Sequence, residues 1–208
     1  MSKTAKNIVI IENNVISTIS MRKRLTLELM QQGHRVLVLT TGHEKDMAKA
    51  RALGIQVIDV RSCNTNPIDV IAYMRRLKTE IKKHNADICL TFTIRPAIWG
   101  NWVTSGLKVP TITNITGIGP LFSSNSPAYL IARTLYRFVL KKTGRIFFQN
   151  RDDMYAFLKS GFISPERAAL IPGSGVDHEY FKPLPRPQEE KKFIFLYIGR
   201  LLKDKGVV

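Results

Sequence analysis

The residues that could do chemistry in this sequence are cations, glycines and small polar side chains that directly follow short apolar runs. They are Arg95, Asn114, Thr116, Gly117, Gly119, Gly173, Ser174 and Gly175. Glycine lets a backbone approach a ligand closely, and a cation such as Arg95 can neutralise a phosphate. Together they predict a cleft for an anionic ligand, although a single glycine more often belongs to a turn and Arg95 could equally be an exposed cation at a helix start.

A second pair of cations, Arg200 and Lys205, lies in the stretch GRLLKDKG near the end of the sequence, after the apolar run at 193–198. A helix that begins directly after a strand presents free backbone N–H groups and the positive end of its dipole. Two cations at that point would suit a diphosphate group. Taken alone, such a pair is more often two solvated cations.

Several classes of site have no support in the sequence. Cys63 and Cys89 form no CxxC motif, and the four histidines are scattered, so we expect reduced thiols and no metal site. The loop at 12–20 contains no glycine, which argues against a dinucleotide-binding GxGxxG motif. We therefore expect no cofactor. No side chain stands out as a catalytic base.

Seven short apolar runs alternate with segments of helical periodicity. The predicted strands are 7–11, 35–39, 56–60, 87–92, 109–113, 145–148 and 169–171. The predicted helices are 17–32, 44–53, one capped by Asn66 with Pro67 in its first turn, 96–105, 127–142 and 152–159. Continuous apolar strands alternating with helices indicate a parallel sheet covered on both faces. The predicted fold is a doubly wound, Rossmann-like α/β domain, which binds ligands at the carboxyl ends of its strands.

A proline-rich stretch follows the last of these strands. Pro183, Pro185 and Pro187 cannot continue a helix or a central strand, so this stretch is interpreted as a linker. We expect a Rossmann-like domain at 1–176, a linker at 177–192, and the first strand and helix start of a second, truncated domain at 193–208. The sequence would then be the first half of a two-domain protein.

The net charge of +16 indicates an anionic partner: nucleic acid, a membrane surface or the phosphates of a small molecule. In the helix at 127–142, Arg133, Arg137 and Lys141 recur every four residues beside apolar and aromatic residues. Such a helix can lie in the headgroup region of an anionic membrane, or it can be a core-packed helix with a solvated cationic face. By contrast, the run Arg22, Lys23 and Arg24 is interpreted as a solvated face.

Other locations and partners are less well supported. No nucleic-acid-binding motif is present, so nucleic acid is not an expected partner. The apolar runs are too short to span a membrane, and the first residues have no signal-peptide core, so we expect a cytoplasmic protein.

Five motifs in a fixed order give the sequence a family resemblance. They are TIRPAIWG at 93–100, NITGIG at 114–119, FFQN at 147–150, IPGSGVD at 171–177 and GRLLKDKG at 199–206. Together they resemble bacterial family 4 glycosyltransferases of the GT-B fold. More narrowly, they resemble enzymes that transfer a hexose or N-acetylhexosamine from a UDP-sugar to a polyprenyl-diphosphate-linked glycan in surface polysaccharide assembly. The resemblance covers essentially the whole chain.

The resemblance implies a role for each group of residues. The N-terminal domain would hold the acceptor in a cleft lined by Arg95, by the NITGIG loop and by Gly173, Ser174 and Gly175, while Arg200 and Lys205 would bind the donor diphosphate. Transfer would retain the anomeric configuration without a metal or cofactor. The enzyme would lie peripherally on the inner face of the cytoplasmic membrane, held there by Arg133, Arg137 and Lys141.

One part of the family pattern is absent. The downstream Glu-x7-Glu pair, which in the family contacts the donor, does not occur in this sequence, so we expect the chain to be inactive alone. Three alternatives stay open: a fragment of a longer gene, a truncated or frameshifted product, or half of a split enzyme that a second chain completes. The chain could then act as a non-catalytic acceptor-binding or membrane-anchoring subunit, or be an inactive fragment.

Overall fold

The structure is a computed structural model that describes residues 4–61, 66–121, 126–179, 181–185, 195–199, 201 and 206. These residues divide into two units, Met1–Val176 and Asp177–Val208. The first unit contains every helix and strand of the described chain.

The first unit is built on one seven-stranded sheet. Its strands are β1 (Asn7–Ile11), β2 (Arg35–Thr40), β3 (Gln56–Asp59), β4 (Ile88–Phe92), β5 (Thr111–Ile115), β6 (Arg145–Phe148) and β7 (Ala168–Leu170). Their order across the sheet is β3-β2-β1-β4-β5-β6-β7, and every neighbouring pair is parallel. The predicted Rossmann-like α/β sheet is confirmed.

Seven α-helices connect these strands. They are α1 (Val15–Ser20), α2 (Lys23–Gln31), α3 (Glu44–Ala52), α4 (Pro67–Lys83), α5 (Asn101–Leu107), α6 (Pro127–Leu140) and α7 (Arg151–Lys159). The α4 cap is as predicted, since the side chain of Asn66 accepts a hydrogen bond from the backbone N–H of Ile68 at 2.9 Å. Helix α4 therefore begins with the N-cap side chain and first-turn proline that favour a helix start.

Three apolar clusters bury the two faces of the sheet. Strand residues such as Ile8, Ile10 and Val38 pack with Val15 and Met47 from α1 and α3. On the opposite face, Leu77 of α4 and Val103 of α5 pack over Val9 and Ile11. The third cluster joins α6 and α7 to β5 and β6 around Tyr136, Phe148 and Phe157. Helices on both faces make the sheet doubly wound.

The predicted single helix at 17–32 is wrong, because the chain forms two helices with a break at Met21 and Arg22. The N–H of Arg22 bonds to the carbonyl of Ser17 at 3.1 Å, five residues back, so the α-helical spacing is interrupted. The reason lies in the Arg22 side chain, which is directed into the protein rather than into solvent.

Strand β5 begins and ends two residues later than predicted. Asn114, expected in the loop, is therefore a strand residue whose Cα neighbours are Phe92 in β4 and Phe147 in β6. Asparagine is uncommon in strands, which explains why the sequence pattern placed the strand end too early.

The predicted helix at 96–105 is a π-helix (Pro96–Gly100) that continues as α5. Gly100 allows close contact with the sheet, since a Cβ there would lie 3.0 Å from Thr91 Cγ2 and 3.1 Å from Ile11 Cδ1. A side chain at this position would push the helix away from β1 and β4.

In the second unit, residues 181–185 and 195–198 lie outside helices and strands, and Phe195 is 89% exposed. The predicted strand at 193–198 includes residues 193 and 194, which lie outside the described residues. A second domain that begins there stays a prediction, as does the linker.

Candidate ligand-binding site

Most of the predicted site residues follow the carboxyl ends of β1, β4, β5, β6 and β7, a region called here the carboxyl edge. The strand order reverses between β1 and β4, because β2 and β3 extend to one side of β1 and the later strands to the other. In open α/β sheets, ligands bind in the crevice outside the strand ends at this point. The topology therefore places the candidate site next to Glu12 and Thr93.

A buried ion pair occupies this switch point. Arg22 Nε lies 3.1 Å from Glu12 Oε1, and the two residues are 4% and 0% exposed. The centre of the guanidinium also lies 4.3 Å from the ring centroid of Phe92, the last residue of β4. The interpretation of Arg22 as a solvated cation is wrong, because Glu12 and Phe92 enclose it.

Burial changes the ionisation of both partners. Loss of solvent raises the pKa of the Glu12 carboxyl above its usual range, and the nearby charge of Arg22 partly opposes the rise. Burial also lowers the pKa of the Arg22 guanidinium, against the attraction of Glu12. Such a pair is sensitive to the loss of either member, since the survivor would be a buried, uncompensated charge.

The ion pair extends toward the predicted loop at 173–175. Arg22 Nη1 donates to Ser174 Oγ at 2.6 Å, and Gln149 Nε2 donates to the same oxygen at 3.0 Å. Gln149 belongs to the FFQN motif directly after β6. The structure thus brings together three sequence-distant parts of the carboxyl edge, and one of them, Arg22, was missed as a site residue. A possible signal was Glu12, a carboxylate placed directly after a buried strand.

Four buried polar atoms have no hydrogen-bond partner among the described residues, and two of them, besides Thr18 Oγ1 and Thr40 Oγ1, lie at the carboxyl edge. These two are Asn114 Oδ1, on a residue that is 8% exposed, and Thr93 Oγ1. Phe92, directly before Thr93, is the Cα neighbour of Asn114, so the two residues lie on adjacent strand ends. Thr93 also has φ of 68°, which is uncommon for a β-branched residue. Buried unpaired polar groups and strained backbone concentrate at functional sites.

The other predicted cleft residues lie close in sequence to Thr93 and Asn114 or in the loop at 173–175. Arg95 is exposed at the start of the π-helix, without a hydrogen bond or ion pair among the described residues. Thr116 and Gly117 are half-buried after β5, and Gly119 is exposed. Gly173 and Gly175 flank Ser174 with φ of 74° and 75°, a conformation that favours glycine. The predicted donor residues Arg200 and Lys205 lie outside the described residues.

The predicted cationic stripe of α6 is only partly exposed. Arg133 is half-buried, and its Nε donates to the carbonyl of Leu121 at 2.6 Å, which ties α6 to the preceding turn. Arg137 and Lys141 are exposed. Two of the three predicted membrane-contacting cations therefore face solvent.

A neighbouring surface combines aromatic and basic side chains, and we call it the aromatic–basic patch. It comprises Ile71, Arg75, Lys78, Trp102, Phe138 and Lys142. Trp102 and Phe138 are 42% and 55% exposed, with ring centroids 5.4 Å apart. Concave spaces of about 300 Å³ and about 240 Å³ lie on the two sides of Trp102.

Other kinds of site find no support in the part of the chain that the structure describes. No group of three or more His, Cys, Asp or Glu residues there could hold a metal ion. Burial raises the pKa of the Cys89 thiol to about 12, so this sulfur is a neutral core group rather than a nucleophile. Over the same residues, no helix has the length and apolar character needed to cross a membrane.

Comparison with known proteins gives one family and a set of solved folds. Residues 21–173 match the family model described as "Glycosyl transferase 4-like domain". A Rickettsia africae glycosyltransferase has a TM-score of 0.65 and 20% identity, covering 90% of this chain and 48% of that one. No curated protein sequence matches the chain.

Two further solved structures share the fold. Anabaena HepE in complex with UDP-glucose has a TM-score of 0.59 and 14% identity, covering 86% of this chain and 46% of that one. Neisseria meningitidis UDP-GlcNAc 2-epimerase bound to UDP-GlcNAc has a TM-score of 0.58 and 14% identity, covering 78% and 45%. The chain thus spans about half the length of these proteins, and at such identities the likeness concerns the fold alone.

Proposed function

The chain belongs to the glycosyl transferase 4-like family, and from this premise we propose that it holds the acceptor in a retaining glycosyl transfer. Its fold is the Rossmann-like N-terminal half of a GT-B architecture. The proposed reaction moves a hexose or N-acetylhexosamine from a UDP-sugar to a polyprenyl-diphosphate-linked glycan in surface polysaccharide assembly.

The observation that carries the proposal is the unpaired Asn114 Oδ1 at the end of β5, beside the end of β4 that precedes Thr93. A buried acceptor oxygen without a donor costs the fold about 1–3 kcal/mol. A sugar hydroxyl donates one hydrogen bond and accepts others, so an acceptor glycan could satisfy Asn114 and the neighbouring Thr93 hydroxyl. Both atoms lie where a ligand of an open α/β sheet is expected.

Arg95 supplies the charge that a lipid-linked diphosphate requires. Its side chain is exposed and has no ion-pair partner in the described parts of the chain, so it is available to a phosphate oxygen. An arginine can donate two parallel hydrogen bonds to phosphate, which would orient the acceptor as well as hold it. The sugar would then lie toward Asn114 and the diphosphate toward Arg95.

The proposed donor is a UDP-sugar, held by Arg200 and Lys205 and by residues of a second domain. Support comes from the UDP-glucose and UDP-GlcNAc in the complexes of two fold relatives. Cations at the diphosphate would stabilise the charge that develops on the leaving group. The residues of the first unit would orient the acceptor hydroxyl for attack on the same face of the donor sugar.

We place the protein peripherally on an anionic membrane, with the aromatic–basic patch and two exposed cations, Arg137 of α6 and Lys141 directly after it, as the contact. Aromatic rings suit the headgroup region, and each cation near an anionic surface contributes about 1 kcal/mol. Trp102→Ala with Phe138→Ala should reduce binding to phosphatidylglycerol vesicles, whereas Tyr155→Ala, at another exposed aromatic residue, should not. Equal loss in both variants, or equal binding to phosphatidylcholine vesicles, would contradict this placement.

A second candidate function is an acceptor-binding or membrane-anchoring subunit that another chain completes. The favouring observation is that the chain spans about half of its solved fold relatives. Adding a separately expressed donor domain should restore sugar transfer if this arrangement holds. If adding the donor domain gives no sugar transfer, the chain would bind the acceptor without contributing to catalysis.

The acceptor role is tested by calorimetry with farnesyl-diphosphate-linked N-acetylglucosamine. Asn114→Val removes the unpaired oxygen, keeps a strand-forming side chain and should weaken binding about tenfold, the loss expected for one hydrogen bond. Asn85→Gly is the control, since Asn85 lies at the opposite end of the sheet with φ of 51°. Absent binding to the unaltered chain, or equal affinities in all three proteins, would overturn the proposal.

A further inference from the structure

We propose that Arg22 is a positioning residue, which fixes Ser174 so that the serine hydroxyl donates its proton to an oxygen of the acceptor. This inference rests on the proposed acceptor-binding function and assigns a role to the buried Glu12–Arg22 pair. It makes the pair part of the binding site, although neither member reaches the ligand.

The guanidinium of Arg22 is fixed from two directions before it meets Ser174. Its Nε bonds to Glu12 at 3.1 Å, and its Cζ lies 4.3 Å from the Phe92 ring centroid. Because the guanidinium is planar and rigid, these contacts determine where its Nη1 points. The Glu12 carboxylate is itself held, since its second oxygen accepts the N–H of Asn13 at 3.2 Å.

The Ser174 oxygen uses its acceptor capacity on two protein donors. Arg22 Nη1 and Gln149 Nε2 both donate to it, at 2.6 and 3.0 Å. A hydroxyl has two acceptor lone pairs and one donor proton, so the proton is directed away from these two groups. Ser174 is exposed, and its proton is therefore available to a ligand at the carboxyl edge.

The turn that carries Ser174 depends on this anchoring. Gly173 and Gly175, both with φ near 75°, flank the serine, and glycine loses more conformational freedom on ordering than other residues. A charge-assisted bond from a buried arginine is about twice as strong as one between neutral groups. The bond from Arg22 thus restricts the conformation of a turn that its two glycines leave flexible.

The matching ligand group is an oxygen that accepts a hydrogen bond. A hydroxyl that accepts hydrogen bonds becomes a stronger hydrogen-bond donor. The Ser174 hydroxyl, which accepts from Arg22, is therefore suited to donate to a sugar or a phosphate oxygen. The acceptor molecule contains both. Comparing farnesyl diphosphate with farnesyl-diphosphate-linked N-acetylglucosamine distinguishes them, since a sugar contact affects only the second.

A double-mutant cycle on acceptor affinity tests the proposal with Arg22→Lys, Ser174→Ala and the double variant. Each single change should weaken binding about tenfold, and the double change should weaken it no further, because Arg22 acts through Ser174. Additive losses, or a loss with Arg22→Lys alone, would overturn the positioning role. If Arg22→Lys does not fold, Ser174→Ala is measured alone, and an unchanged affinity for the acceptor probe would overturn the proposal.

A second measurement separates this inference from the acceptor proposal. If the unaltered chain binds neither probe, the acceptor role fails, and the positioning is judged on the free protein. Backbone relaxation of Ser174 and Gly175 should then show rigid amides in the unaltered chain and mobile ones in Arg22→Lys. Equal mobility in the two proteins would overturn the proposal.

Discussion

Strands β4 and β5 contain two sets of buried polar side chains that differ in one respect. Thr91 and Thr113 bond to each other at 2.8 Å, and Asn101 of α5 donates to Thr113 at 2.8 Å. Thr93 and Asn114, at the carboxyl ends of the same strands, have polar atoms without a partner in the described structure. The first set is closed within the fold, whereas the second is open.

Under the proposed function, this difference separates polar groups that stabilise the fold from polar groups that would bind a ligand. Asn101 also donates to the carbonyl of Ala97 at 2.7 Å and accepts from Thr143 at 2.7 Å, so it joins α5 to the sheet and to the turn after α6. A fully satisfied network of this kind specifies helix packing. The unpaired atoms of the open set lower the free energy of unfolding, and a ligand that bonds to them at the carboxyl edge would offset this loss.

The largest expected effect concerns the Glu12–Arg22 pair, the closed polar cluster of the carboxyl edge. Arg22→Met should lower the free energy of unfolding by about 3–5 kcal/mol, because Glu12 becomes an unpaired buried charge. Replacing both members, with Glu12→Leu and Arg22→Met, should restore most of the loss. Urea denaturation measures both, and a loss under 1 kcal/mol in the single variant would show that the pair is not structural.

Substitution in the closed network of Asn101, Thr91 and Thr113 should lower the free energy of unfolding almost as much. Asn101→Ala removes one hydrogen bond each from the Thr113 hydroxyl, the Thr143 hydroxyl and the Ala97 carbonyl. At about 1–3 kcal/mol for a lost partner, we expect a total loss of about 3 kcal/mol in urea denaturation. If Asn101→Ala were neutral while Asn114→Val were destabilising, the comparison would be reversed.

A pair of glycine substitutions sharpens the contrast between closed and open positions. Thr93→Gly relieves a positive φ that costs about 1–3 kcal/mol, and it should leave stability unchanged or raise it by about 1 kcal/mol. Thr91→Gly, two residues earlier, should destabilise the fold, since it removes a bonded hydroxyl from a central strand. Thermal unfolding of both variants checks the sign, and equal destabilisation would refute strain at Thr93.

The smallest effect is a pH dependence. Burial raises the pKa of the Glu12 carboxyl above its usual value, so the protonated carboxyl contributes stability that is present at low pH and is lost as the pH rises through the folded pKa. Glu12→Gln lacks this titration. The stability of the unaltered chain minus that of Glu12→Gln should therefore decrease as the pH rises above about 4.3, the usual pKa of a glutamate carboxyl. An increase over this range would mean that attraction to Arg22 outweighs desolvation.

Much of the first unit could be predicted from the sequence because its signals are local. Each strand is a continuous apolar run, and Asn66 with Pro67 marks the start of α4 as expected. Asn114 and Ser174 were recognisable as site candidates because they follow such runs. The strand order then places them at one edge.

The unpredicted features depend on contacts between distant residues. Arg22 reaches Ser174 across 152 positions of sequence, and its helix breaks where the guanidinium enters the core. A run of three cations is usually solvated, so the local pattern favoured the wrong environment. Arg133 likewise makes a contact that its spacing does not predict, since its Nε donates to the Leu121 carbonyl.

The most direct test of the open set uses isotope-labelled asparagine side chains, observed by NMR while farnesyl-diphosphate-linked N-acetylglucosamine is added. If Asn114 binds the acceptor, its side-chain amide signals shift until the ligand is saturating, while those of Asn101, which is closed within the fold, stay unchanged. Unshifted Asn114 signals at saturating ligand, or shifts confined to Asn101, would contradict this role of Asn114.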